Sequence, residues 1–165
     1  MLYLIKIFVK KEGKMEYISH SENETIELGK KLAPQMYKGL VIVLTGDLGS
    51  GKTKFTEGIL TYYNMQKEIS SPTFMLVNEY NTKNLNIYHF DVYRLNDSDE
   101  FLAIGGDEYF EKGTSIIEWG ERIGDVIPND YVHIIFSRDS KQEDDDKTRI
   151  INIKCNGNTY EKIKM

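Results

Sequence analysis

The sequence predicts an α/β fold, a mixed β-sheet flanked by helices with antiparallel hairpins added to it. Two observations carry the prediction. The β-branched run Val41 to Leu44 reads as a strand buried on both faces, and it leads through a glycine-rich turn into a helical segment. Thr73–Tyr80 and Leu85–Tyr93 also read as strands, joined only by residues 81–84. A parallel connection needs about a dozen residues or more, so this pair is a hairpin and the sheet is mixed. A chain of 165 residues fits one domain with its own core. That domain is assigned to residues 15–165, with 1–14 as an N-terminal extension carrying an extra strand.

The other elements follow in order. Leu2–Val9 reads as the extra strand, residues 10–14 as a polar turn, and Met15–Ser19 as a second short strand. Ser21-Glu22-Asn23-Glu24 spells a capping box. The helix it opens has Ile26, Leu28, Leu32 and Ala33 on its apolar side, and Pro34 ends it near Ala33. The helix after the glycine-rich turn, 52–63, buries Phe55 and Ile59; residues 64–70 are irregular. Asp97 to Glu100 repeats the capping-box spacing, and Gly105-Gly106 stops that helix. Thr114–Glu118, Tyr131–Ser137 and Thr148–Cys155 read as strands, and Thr159–Ile163 as a further edge strand. Glu143 to Asp146 is a solvated acidic loop, because consecutive carboxylates point apart and repel.

Gly46-Asp47-Leu48-Gly49-Ser50-Gly51-Lys52-Thr53 matches G-x-x-x-x-G-K-[ST], the phosphate-binding loop, so the sheet is P-loop NTPase-like. Glycines let successive N–H groups turn inward on an anion, and the following helix brings its positive end to the same point. Lys52, expected on a solvent-facing loop, would reach the β- and γ-phosphates, and the Thr53 hydroxyl would ligate Mg²⁺. Such a loop binds a nucleoside triphosphate and works with acidic residues that orient the Mg²⁺ shell and the nucleophile. Two candidates stand at strand ends. Glu118 follows Ile116-Ile117, and Asp91 lies in His89-Phe90-Asp91-Val92-Tyr93-Arg94. The plainer alternatives are a surface Glu and an Asp91–Arg94 pair. His89 alone reads as a core histidine bonded to a carbonyl. Ser71-Pro72-Thr73-Phe74 suits either a phosphate-sensing loop or an ordinary turn, and Trp119 either the site or the core.

Composition narrows the function. A net charge of −5 argues against a chain that grips nucleic acid by itself. Cys155, the single cysteine, permits no internal disulfide and reads as a buried strand residue, consistent with a reducing cytoplasm. Leu2–Val9 is too short to span a bilayer and lacks a signal peptide's cleavage region, so a cytoplasmic location without membrane attachment is expected.

The phosphate loop, Ser71 to Phe74, His89 to Leu95 and Ile117-Glu118-Trp119, in this order and spacing, resemble the TsaE (YjeE) family. Its members are the small ATPases of bacterial tRNA threonylcarbamoyladenosine synthesis. The similarity runs from about Met15 to about Ile153. It implies an ATPase using ATP and Mg²⁺, with residues 47–53 (Asp47, Leu48, Gly49, Ser50, Gly51, Lys52, Thr53) and Trp119 at the nucleotide. It implies Thr25, near the start of the first helix, as a further candidate contact to the base. It also implies Thr53 and Glu118 as Mg²⁺ ligands, Asp91 and Lys52 as catalytic residues, and Ser71 and Thr73 in a switch loop. TsaD and TsaB are the implied partners, with tRNA reached through them. Two rivals remain at this stage, a small-molecule kinase and a nucleotide-gated binding protein. A kinase would want a lid bearing arginines, and no arginine cluster occurs here.

Overall fold

The computed structural model describes residues 7–11, 14–65, 72, 75–138 and 147–164. Among these residues eight strands form one sheet: β1 (Ile7–Lys11), β2 (Lys14–Ser19), β3 (Val41–Thr45), β4 (Val77–Asn81), β5 (Asn86–Asp91), β6 (Thr114–Glu118), β7 (Tyr131–Arg138) and β8 (Arg149–Cys155). Their order across the sheet is β1-β2-β8-β7-β3-β6-β5-β4. β7, β3, β6 and β5 run parallel in the middle. Antiparallel pairs complete both sides, β8 and the β1–β2 hairpin on one and β4 on the other. The mixed sheet and its hairpins are thus as expected; β1 runs into Lys10-Lys11, which the sequence reading had placed in the turn.

The helices are α1 (Glu22–Leu32), α2 (Lys52–Tyr62), α3 (Ser98–Ala103) and α4 (Thr159–Lys162), with 3-10 stretches at 33–35, 106–111 and 120–123. α1 begins where its capping box puts it. Ser21 Oγ accepts the Glu24 N–H at 3.2 Å, while Glu24 reaches back one residue further than the motif requires, to the His20 N–H. Asp97 caps α3 through the Glu100 N–H. Pro34 converts the end of α1 into a 3-10 turn, since its ring excludes further α-helix.

Burial follows the topology. β3, β5 and β6 are buried almost continuously, as parallel strands covered on both faces are, whereas β2 and β7 alternate. On one face Ile42, Leu44, Ile116, Ile134 and Phe136 pack against Leu28, Leu32, Phe55 and Ile59 of α1 and α2. On the other, Val41, Val43, Phe90 and Ile117 meet Phe101 of α3 and Ile123. α1 and α2 touch backbone to backbone. A Cβ at Gly29 would fall 2.1 Å from the Phe55 carbonyl oxygen, and one at Gly58 2.0 Å from that of Ile26.

Three expectations change. Residues 159–163 are not an edge strand: 159–162 form α4, whose first residue, Thr159, is tied by its hydroxyl to the Tyr131 and Asn156 carbonyls. The first hairpin strand starts at Val77 rather than Thr73. The Pro72 carbonyl accepts the N–H groups of Met75 and Leu76, and Leu76 takes a left-handed backbone (φ 62°), so the chain turns there. The 3-10 stretches 106–111 and 120–123 had no counterpart in the sequence reading. The acidic run Glu143–Asp146 lies outside the described residues. Among the described residues no helix is long and apolar enough to cross a membrane.

Candidate functional site

The site forms where the parallel strands end. Register sets Leu44 beside Glu118 and Glu118 beside Asp91, so three neighbouring strands bring their carboxyl ends to one level. Ligand sites in open α/β sheets lie beyond such carboxyl ends. The loop from Gly46 to Gly51 turns over this edge with φ of 139°, 73° and 110° at its three glycines. Gly46 also sits so close to the Phe136 carbonyl of β7 that no side chain fits.

The loop feeds α2 without a cap. Ser21 and Asp97 cap α1 and α3 with side chains, and acidic residues fill their first turns. At α2 the N-cap is Gly51, no side chain caps it, and no acid lies in its first turn. The N–H groups and the positive end of the dipole are left to an outside anion.

Lys52 differs from expectation: it is buried (4% exposed), not solvent-facing. Its ammonium donates to the Gly46 and Asp47 carbonyls at 2.6 and 2.9 Å and lies 4.0 Å from the Trp119 ring centre. Burial pulls its pKa below the ordinary lysine value, opposed by the nearby Glu118, Glu121, Asp91 and Asp47. Trp119 reaches this place because it takes a left-handed backbone (φ 64°), rare for a bulky residue, directly after β6. Its ring also packs on Tyr93 at 4.9 Å.

Glu118 is buried, and its two oxygens have different partners. Oε2 accepts the Thr53 hydroxyl at 3.2 Å, and Oε1 meets His89 Nε2 at 2.9 Å. It is therefore no surface glutamate, and His89 bonds a carboxylate rather than a carbonyl. Asp91 Oδ1 accepts the Tyr93 N–H at 3.1 Å, which fixes the carboxylate against its own turn.

These groups line one cleft of 710 Å³. The sequence-named residues Leu48 to Thr53, Thr25, Asp91, Glu118 and Trp119 all face it. Asp47 contributes to the loop through its carbonyl, and Leu48 stands 81% exposed at the loop's tip. Thr25 is buried, its hydroxyl bonded to Ser19 at 2.8 Å and its methyl against Gly51. Ser71 and Thr73 lie outside the described residues. Lys147 and Arg149 also line the cleft, and Arg149 donates to the Gly49 carbonyl at 3.3 Å. The sequence reading had not named Arg149 among the site residues. Chemically, the cleft offers an anion cradle with an ammonium, a hydroxyl and carboxylate side by side, and a second carboxylate on the neighbouring strand.

Strand, loop, uncapped helix and two acidic strand ends define an α/β protein of P-loop NTPase-like fold. Comparison with known proteins narrows the class. A family profile described as "Threonylcarbamoyl adenosine biosynthesis protein TsaE" matches residues 19–150. The tRNA threonylcarbamoyladenosine biosynthesis protein TsaE of Bacillus subtilis is 37% identical over 141 residues, covering 85% of each chain. Its namesake from Treponema pallidum is 39% identical over 115 residues, 69% of this chain and 84% of its own. The crystal structure of Bacillus subtilis YdiB superposes with a TM-score of 0.73 at 30% identity, covering 97% of this chain and 93% of its own. The chain belongs to the TsaE family, and with it to tRNA threonylcarbamoyladenosine biosynthesis.

Proposed function

We propose that this chain binds ATP with Mg²⁺ and hydrolyses it as an accessory subunit of tRNA threonylcarbamoyladenosine synthesis, acting in the cytoplasm with TsaB and TsaD. The observation that carries the reading is the pairing of Thr53 with Glu118 at the start of α2, with Lys52 and Asp91 on the same cleft. Mg²⁺ prefers hard oxygen ligands and usually takes one or two from protein and the rest from phosphate and water. A hydroxyl and a carboxylate oxygen 3.2 Å apart beside an anion cradle fit that demand.

When bound, Mg²⁺ would neutralise charge on the phosphate oxygens. The residues of the chain supply the rest. Loop and helix N–H groups hold the phosphates, Lys52 adds positive charge to them, and Asp91 orients the attacking water and accepts its proton. Thr25, at the first turn of α1, faces the base, and Ser71 with Thr73 senses the phosphate state. A net charge of −5 suits a subunit that docks on protein and leaves tRNA to its partners.

Two conservative substitutions test the division of labour. Glu118→Gln is expected to remove the gain in ATP affinity that Mg²⁺ confers in calorimetric titration. Asp91→Asn is expected to keep that affinity while steady-state hydrolysis drops ~10²–10⁴-fold. A parent chain that binds no ATP in the presence of Mg²⁺ refutes the proposal.

A further inference from the structure

We infer that His89 is a positioning residue for the cation site: it holds one oxygen of Glu118 so that the other is presented to Mg²⁺. The inference rests on the ATP and Mg²⁺ reading above. His89 lies on β5 two residues before Asp91, on the same face of the strand, and is 1% exposed. An ionised carboxylate only accepts, so the 2.9 Å contact to Glu118 Oε1 makes Nε2 the protonated nitrogen. The far oxygen, Oε2, is the one beside Thr53.

The other ring nitrogen sharpens the point. Nδ1 is buried and has no hydrogen-bond partner among the described residues. The Nε2–H tautomer leaves a bare nitrogen unpaired rather than an N–H, but a leucine would fill similar volume with no polar atom buried at all. Among the described residues the ring's single polar contact is to Glu118, and it is that contact which accounts for a histidine here. With Oε1 occupied, the carboxylate cannot rotate to offer both oxygens, and Thr53 and Oε2 stay paired across the mouth of α2. Partners that orient a metal's ligands in this way commonly account for about 10–100-fold in metal affinity.

Three substitutions separate aiming from packing. The Nε2 amide of His89→Gln can take the place of the ring Nε2, whereas His89→Asn is too short and His89→Phe has no donor. ATP affinity is measured by calorimetry across a Mg²⁺ titration and again in chelator. His89→Gln should stay within about threefold of the parent. His89→Asn and His89→Phe should need about 10–100-fold more Mg²⁺ for the half-maximal effect, with chelator-phase affinity unchanged. An Asn variant that tracks the parent overturns the inference, and so does a folded Gln variant as impaired as Asn. If the Asn and Phe variants do not fold, ¹⁵N-histidine spectra of the parent decide. A protonated Nε2 whose signal moves when Mg²⁺ joins bound ATP supports the role; a protonated Nδ1, or an unmoved signal, overturns it. A parent that binds ATP indifferently to Mg²⁺ overturns the cation site itself, a failure visible before any His89 variant is compared.

Discussion

Lys52 is a charge kept inside the fold. Its pKa is lowered by burial, so the unfolded chain, with a lysine near 10.5, holds the proton more firmly than the folded one. The sign follows: charged Lys52 weakens the fold at neutral pH, and that cost fades as pH rises through the folded value toward 10.5. Lys52→Met should therefore unfold within about 2–4 °C of the parent or above it, a change of ~1 kcal/mol. The carbonyls it abandons, Gly46 and Asp47, lie on a loop open to water. The same variant should lose the ATP-induced change in fluorescence of Trp119, the single tryptophan. A larger fall in midpoint would mean that the lysine's bonds hold the loop together. At this scale the motif was legible: Lys52, Thr53, Asp91 and Glu118 were named from spacing and they meet. The burial of Lys52 was not, because its cover is Trp119, which follows a different strand, β6. Arg149 escaped too, since its partner, the Gly49 carbonyl, lies 100 positions away.

Helix α2 presents the loop, and Ser21, Glu22 and Thr25 at the start of α1 also line the cleft. Gly29 and Gly58 let these two helices meet without side chains between them. Gly58→Ala would drive a methyl into the Ile26 carbonyl, where rigid backbone cannot yield as a side-chain tip would. The expected cost is about 1–3 kcal/mol in urea unfolding, the range for overpacking, with weaker ATP binding as the cleft spreads. Equal stability of parent and variant would show that the helices separate freely. Elements opened by a capping box were readable because the signal is local, Ser21 with Glu24 and Asp97 with Glu100. α4 was misread because four residues carry too little periodicity to tell helix from strand, and its first residue is fixed by distant Tyr131. The start of β4 was missed because Leu76, apolar and strand-like in composition, is used in a turn.

At the scale of the molecule, the described arginines are unevenly set about the cleft. Arg149 stands on the β8 side, across β7, β3 and β6 from the strand that ends in Asp91. Arg122 is spent on the Leu95 carbonyl and the Tyr93 ring. Isolated chain is therefore expected to hydrolyse ATP slowly and to accelerate when TsaB and TsaD are added, an arginine from a partner being worth ~10³–10⁵ in such reactions. Equal steady-state rates, at concentrations where the complex forms, would contradict this. The order of strands bears on how a ribosome delivers the protein. β3, which carries the loop, pairs with β6 and β7, both made later, and β2 waits for β8, made last of all the strands. A nascent chain with the whole phosphate loop already outside the exit tunnel gains the first neighbour of β3 only once Glu118 has emerged and the second only after Arg138. Closure of such long-range pairings is slow, and the apolar β3 stays open to wrong partners meanwhile. Nucleotide capture should thus switch on late and abruptly during synthesis, and chains halted before β7 should be clients of chaperones rather than half-working enzymes.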